Sequence, residues 1–70
     1  MKKDWKKISN TKYVNKKRKG TLYIFDDKNV SIEIDTIKWG KVNFPQTHIY
    51  EEFDTKSQAL KRAIKYMVNN

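Results

Sequence analysis

The chain has 70 residues, of which 37% are hydrophobic and none is cysteine, and its formal net charge is +8. A chain of this length forms one small domain, and without cysteine it has neither a disulfide framework nor a thiolate zinc site to stabilise it. The fold must therefore rest on apolar packing. No apolar run reaches the roughly 20 residues of a membrane span. We expect a cytoplasmic protein without a cofactor.

The excess charge lies in the first 20 residues. Residues 1–20 contain nine lysine or arginine side chains and one aspartate, whereas residues 21–70 contain seven basic and seven acidic side chains. Such asymmetry is typical of a segment that meets a polyanion. We divide the single domain into a basic segment, 1–20, and a sheet-plus-helix part, 21–70. In the basic segment, Trp5 and Tyr13 are apolar anchors for either an edge strand or an arm, and Gly20 marks a turn.

A β-hairpin is predicted for residues 21–34. The segments 21–25 (TLYIF) and 30–34 (VSIEI) are rich in β-forming residues. Between them, residues 26–29 (DDKN) have favourable turn chemistry, because Asp starts turns and Asn tolerates a positive φ.

The rest of the sheet follows the hairpin. Its second strand is predicted to continue through Trp39, and Gly40 offers a turn or a bulge. A third strand follows at 41–44, Pro45 ends it, and residues 47–53 form a fourth.

Two core arrangements follow from the turn length of the hairpin. With a simple four-residue loop, Tyr23 and Phe25 share the core face with Val30, Ile32 and Ile34. A one-residue bulge moves the side chains of the first strand to the other face. Leu22 and Ile24 would then enter the core, and the two aromatic residues would form an exposed platform. We expect the first arrangement.

The C-terminus is predicted to form a helix that packs on the sheet. Asp54 or Thr55 caps it, and Thr55 with Gln58 has the spacing of a capping box. An apolar stripe recurs at i, i+3, i+4 and i+7: Leu60, Ala63, Ile64 and Met67. The predicted class is α+β, with a small antiparallel sheet of three to four strands and one C-terminal helix.

The sequence does not indicate an enzyme. Glu51 and Glu52 are adjacent on a predicted strand and point to opposite faces, and the Asp26–Asp27 pair lies in a turn. His48 is the only histidine, whereas a zinc site needs three or four donors. No catalytic or metal-binding residue is therefore predicted.

Lysine-rich segments near aromatic residues favour nucleic-acid binding. Lysines outnumber arginines by fourteen to two, which favours contacts to phosphates over the reading of base edges, for which arginine is better suited. Trp39 lies between two lysines at a predicted bend and is expected to be partly exposed. The candidate binding residues are Lys6, Lys7, Lys12, Lys16, Lys17, Arg18, Lys19, Lys38, Trp39 and Lys41.

Residues 53–67 (FDTKSQALKRAIKYM) resemble the end of the arm-type DNA-binding domains of phage and transposon tyrosine recombinases. Four residues match the closing pattern F-x-T-K-x-x-A of that family: Phe53, Thr55, Lys56 and Ala59. The resemblance implies a three-stranded sheet followed by a helix, with the sheet lying in the DNA major groove. The hairpin strands and residues 38–41 would then face DNA.

Two functions follow as hypotheses. The first is a small basic accessory or regulatory protein of phage or mobile-element type that binds nucleic acid, DNA more readily than RNA, through the phosphate backbone and with low sequence specificity. The alternative is a small phage-type protein that binds and inhibits a host protein with an acidic surface.

Overall fold

The computed structural model describes residues 4–70, which form a five-stranded antiparallel sheet in the order β1-β2-β3-β4-β5, followed by one helix. The elements are β1 (Trp5–Ser9), β2 (Lys12–Asn15), β3 (Gly20–Phe25), β4 (Asn29–Trp39), β5 (Val42–Glu52) and α1 (Lys56–Asn69). The α+β class, the antiparallel sheet and the C-terminal helix are confirmed. The number of strands is larger than the three or four predicted.

The additional strands lie in the basic segment. β1 and β2 form a hairpin, and β2 pairs in turn with β3, so residues 5–15 belong to the same sheet as the rest of the chain. Trp5 anchors this hairpin, because its buried ring contacts the ring of Tyr66 in α1 edge to face, with 6.2 Å between the ring centres. Of the two predicted alternatives for this segment, the structure shows the edge strand.

The prediction that Pro45 ends a strand is wrong. β5 runs without interruption from Val42 to Glu52, and Pro45 lies opposite Thr36 of β4. Proline is tolerated here because β5 is an edge strand, where a residue without an N–H group can face solvent without leaving a neighbouring strand unpaired. The two short strands predicted at 41–44 and 47–53 are therefore one long strand.

The turn between β3 and β4 sets which side of β3 enters the core. Phe25 pairs with Asn29, so the turn has three residues, and Asp26 and Asp27 both have positive φ (52° and 62°). The Lys28 N–H donates to the Phe25 carbonyl at 3.0 Å. Leu22 then lies opposite Ile32. The expected core position of Tyr23 and Phe25 is wrong, because shortening the loop by one residue reverses every side chain of the strand.

The core lies between the sheet and α1. The buried side chains are those of Trp5, Leu22, Ile24, Val30, Ile32, Ile34, Ala59, Ala63, Tyr66 and Met67. The helix faces the sheet with Ala59, Ala63, Tyr66 and Met67, whereas Ile64 is 51% exposed. The prediction that Ile64 is a core residue is wrong. Alanines on the contact face let the helix lie close to the sheet, and the larger side chains beside them are left at its margin.

The predicted capping box is present at the start of α1. The Thr55 hydroxyl accepts from the Gln58 N–H at 3.2 Å, and the Gln58 side-chain oxygen accepts from the Thr55 N–H at 3.3 Å. These bonds satisfy backbone donors that have no partner within the first helical turn. They fix the point at which the chain leaves β5 and begins the helix.

The distal halves of β4 and β5 extend beyond the rest of the sheet as a hairpin arm, residues 35–46. β3 pairs with β4 only as far as Glu33, so the arm is two-stranded. Gly40 and Lys41 form its turn, and Gly40 has φ +61°, as a type II′ turn requires at its first central residue. The predicted turn at Gly40 is confirmed, and the arm makes the molecule elongated, with dimensions of 38 × 23 × 19 Å.

Candidate nucleic-acid interface

The face of the sheet that turns away from α1, the open face, carries aromatic side chains. Tyr23 and Phe25 stack with 5.7 Å between their ring centres, and the Lys12 ammonium lies 5.3 Å from the centre of the Tyr23 ring. Ser31 lies between Tyr23 and Tyr50 in the same cross-strand row and is buried. Part of the exposed platform that was the second sequence alternative is therefore present.

The hairpin arm has one apolar side. Ile37 lies opposite Phe44, and Trp39 lies opposite Val42, so these four side chains share one side of the two-stranded arm. All are about half exposed or more, and Trp39 is 77% exposed. The positions on the other side are polar or small, with Lys38 opposite Asn43. The arm is thus amphipathic, and its apolar side has no partner within residues 4–70.

The turn between β2 and β3 lies against the base of the arm. The Asp35 N–H donates to the Arg18 carbonyl, and the Thr36 N–H donates to the Lys19 carbonyl at 3.1 Å. The Asn15 side-chain oxygen accepts from the Arg18 N–H at 2.8 Å and closes the turn. The lysines of residues 16–19 are therefore held beside the arm.

Arg18 differs from its basic neighbours because its guanidinium is paired. Its Nε donates to Asp35 Oδ1 at 2.9 Å and its Nη2 to Asp35 Oδ2 at 2.8 Å, a two-pronged ion pair at the base of the arm. The hydrogen bond from Arg18 holds the pKa of the Asp35 carboxyl below its ordinary value, and the same bond raises the pKa of Arg18. This geometry makes Arg18 a positioning residue for the turn and the arm.

The predicted binding residues fall into three groups. Lys16, Lys17 and Lys19 are exposed on the turn, and the second sequence cluster, residues 38–41, lies in the arm. The remaining three lie in the first hairpin: Lys6, Lys7 and Lys12. Lys6 and Lys12 point to the open face, whereas Lys7, opposite Tyr13, points to the other. Thus 16–19 and 38–41, which are distant in sequence, share one end of the molecule, called the arm end here.

Charge is segregated between the two ends of the sheet. The arm end, residues 16–19 and 35–46, has six basic side chains and one carboxylate, a net charge of +5. The opposite end comprises residues 10–12, 26–28 and 52–56. The Ile24 N–H donates to the Thr11 carbonyl and the Phe53 N–H donates to the Lys28 carbonyl, so these segments lie at one end of the sheet. They have four carboxylates and three lysines, a net charge of −1. The field therefore favours approach of a polyanion to the arm end.

Sequence reasoning missed three residues of the arm: Ile37, Val42 and Phe44. Their signal is symmetry about the turn, because apolar residues stand at equal distances before and after Gly40–Lys41. The prediction of a separate short strand at 41–44 hides that symmetry.

His48 lies exposed on the open face, with its Nε2 3.7 Å from Glu33 Oε1. Across residues 4–70, no group of three or more histidine, aspartate or glutamate side chains is placed to hold a metal ion. The single helix in this range is too short and too polar to cross a lipid bilayer.

No protein-family model matches the chain, and no curated protein or solved structure has significant similarity to it. The resemblance of residues 53–67 to recombinase DNA-binding domains therefore stays a prediction.

The Arg18–Asp35 ion pair predicts a pH-dependent contribution to stability. Because the folded-state pKa of Asp35 is lowered, its contribution is present above the ordinary carboxyl pKa and is lost as pH falls through the folded value. Asp35→Asn should lower the Tm at pH 7, and the difference from the parent should shrink as the pH falls below the ordinary carboxyl pKa. Thermal unfolding followed by circular dichroism at pH 7 and in acid measures this.

The matched control is Asp26→Asn, at a turn aspartate that forms no ion pair with any residue in 4–70. Its small difference from the parent should be similar at both pH values. If the Tm difference between Asp35→Asn and the parent is as large in acid as at pH 7, the ion pair does not contribute to stability as predicted.

Proposed function

We propose that this protein is a small nucleic-acid-binding protein that acts as an accessory or regulatory factor and holds the phosphate backbone at its arm end. The observation that carries the proposal is the net charge of +5 on two segments that the fold brings together, opposite an end with a net charge of −1. Lysine suits contacts to phosphate as a flexible point charge, whereas the single arginine at this end is already bound to Asp35. Binding of DNA with little sequence preference follows.

Five lysines at the arm end make no ion pair with a carboxylate of residues 4–70: Lys16, Lys17, Lys19, Lys38 and Lys41. Each phosphate that a cation neutralises on duplex DNA releases about 0.9 of a counterion. If all five engage, the slope of log K against log salt should be about −4.5 on a duplex. Scrambling the DNA sequence should change affinity little, because contacts to phosphates carry no sequence information.

The experiment compares two triple variants with the same net charge. One replaces Lys16, Lys17 and Lys19 by Gln, and the other replaces Lys56, Lys61 and Lys65, which are exposed on α1. Fluorescence anisotropy with duplex DNA at several salt concentrations gives the slope for each. The turn variant should lose about 2.7 units of slope, because three phosphate contacts are removed. The helix variant should keep nearly the parental slope.

Both triple variants should keep the parental Tm, since all six lysines are exposed. Equal losses of slope in the two variants would mean that net charge alone, and not the arm end, drives binding. The proposed function is refuted if the parent does not bind DNA at low salt, or if its affinity does not change with salt.

A further inference from the structure

We infer that the apolar side of the hairpin arm is a binding surface for the unpaired bases of single-stranded nucleic acid. The surface consists of Ile37, Trp39, Val42 and Phe44, which face the same side of the arm. This inference rests on the proposed function, and it specifies which form of nucleic acid the arm end holds and through which side chains.

The arm's apolar surface is uncharged itself and is bordered by cations. Lys16, Lys17 and Lys19 lie at its base, and Lys41 lies in the turn at its tip. The carboxylate at this end, Asp35, is bound by Arg18. A ligand that fits must present flat apolar groups beside repeated negative charges. Unpaired bases on a phosphate backbone have that chemistry, because every base has a π-face that can stack on an aromatic ring.

A duplex fits the apolar side less well. Its bases are stacked on one another, so an apolar side chain reaches their faces only by partly unstacking a base step, which costs free energy. A single strand meets the same lysines through its phosphates and also covers Trp39 and Phe44. The arm should therefore add affinity for single strands beyond the contribution from charge.

The charge distribution selects the arm over the other aromatic part of the open face. Phe25 is exposed and Tyr23 is half-buried, but Phe25 directly precedes Asp26 and Asp27 at the end with a net charge of −1. Lys12 lies beside the Tyr23 ring, but the five lysines of the arm end attract phosphate more strongly. Phe25 is 45% exposed and Phe44 is 49% exposed, so the two rings are similarly accessible in surroundings of different charge.

The arm is also held in place before any ligand binds. The Arg18–Asp35 ion pair and the backbone hydrogen bonds of Asp35 and Thr36 fix its base against the β2–β3 turn, and Gly40 closes its tip in a two-residue turn. A preorganised surface binds with a smaller loss of conformational entropy. The backbones of the turn and of the arm therefore keep a defined relative position.

The test measures binding of the full chain to a fluorescent 20-nucleotide oligo-dT and to a duplex of equal length. Trp39→Ala and Phe44→Ala should each weaken oligo-dT binding by roughly 5- to 150-fold, the range for loss of one stacked base. Binding to the duplex should weaken by much less. The salt slope should stay parental in both variants, because no cation is removed. Trp39→Phe should retain most of the affinity, and Phe25→Ala should bind oligo-dT like the parent.

Circular dichroism shows whether each variant is folded, and Trp39→Ala should melt with the parent because the side chain is 77% exposed. If Trp39→Ala and Phe44→Ala bind oligo-dT as tightly as the parent, or lose as much affinity for the duplex as for oligo-dT, the inference is overturned. The proposed function would still stand in either case if the parent's binding depends on salt. Sedimentation of the protein without nucleic acid tests whether a second copy of the chain covers the apolar side of the arm. A parental dimer that Trp39→Ala dissociates would also overturn the inference, because a second copy of the chain would then cover the arm.

Discussion

Replacing Ile32 by alanine should lower the free energy of unfolding by about 2–5 kcal/mol, the usual cost of deleting a fully buried aliphatic side chain. Ile32 has no exposed surface, and it lies opposite Leu22 of β3 and Ile49 of β5 at the centre of the sheet. A chain of 70 residues has little stability in reserve. Each kcal/mol corresponds to about 4–8 °C in Tm for a domain of this size, so the Tm should fall by roughly 10 °C or more.

Ile64→Ala is the matched control, because it removes the same atoms from a side chain that is 51% exposed. It should cost well under half as much as Ile32→Ala, because much of its surface is in contact with water in the folded protein. Thermal and urea unfolding of the parent and both variants measure the difference. Equal losses for the two variants would mean that α1 lies on the sheet through the stripe of Leu60 and Ile64, and not through its alanines.

The sequence predicts which segments form strands and the helix better than it predicts which side of each element faces the core. Strand propensity and turn chemistry locate the β3–β4 hairpin, but the orientation of Leu22 and Tyr23 depends on whether Asn29 belongs to the turn or to the strand. Positive φ at both Asp26 and Asp27 shortens the turn to three residues and reverses β3. Aspartate tolerates this conformation without requiring it, so the residue types alone do not determine the choice.

The helix shows a similar limit. Two apolar stripes overlap on α1, one through Leu60 and Ile64 and one through Ala59 and Ala63, and both are compatible with Met67. Both have helical periodicity, and hydrophobicity favours the stripe with the larger side chains. In the fold, the alanines face the sheet, beside contacts of Tyr66 with Trp5 and of Met67 with the core that join residues remote in sequence.

The candidate interface was predictable in composition but not in arrangement. The lysines of 16–19 and the residues of 38–41 are visible as separate basic clusters, and only the pairing of the β2–β3 turn with the base of the arm brings them together. Arg18 belongs to the first cluster by sequence. Its partner Asp35 lies 17 residues away, so its structural role follows only from the tertiary fold.

Gly20→Ala should be among the most destabilising single substitutions in this chain. An added Cβ would collide with the carbonyl oxygen of Glu33 and with the backbone of Ile34, where β3 meets β4 at the base of the arm. Overpacking typically costs about 1–3 kcal/mol, and the cost should reach or exceed the upper end here because backbone atoms cannot move aside as a flexible side chain can. The variant should have a Tm far below that of the parent, and its β-sheet signal in circular dichroism should be lost at that lower temperature.

Gly40→Ala separates this collision from the general effect of replacing a glycine. Nothing lies within 4 Å of a Cβ added at Gly40, but its φ of +61° is unfavourable for alanine and costs about 1–2 kcal/mol. That cost arises at the tip of the arm, so the core and the β2–β3 turn should remain intact and the Tm should fall by less than for Gly20→Ala.

The sheet must separate at the base of the arm to accept a side chain at position 20. The same movement would pull the Lys19 carbonyl away from the Thr36 N–H, which donates to it at 3.1 Å in the parent. A Gly20→Ala protein that melts with Gly40→Ala or above it would show that the two strands are not in such close contact, and that the turn lysines and the arm are not held together as the fold implies.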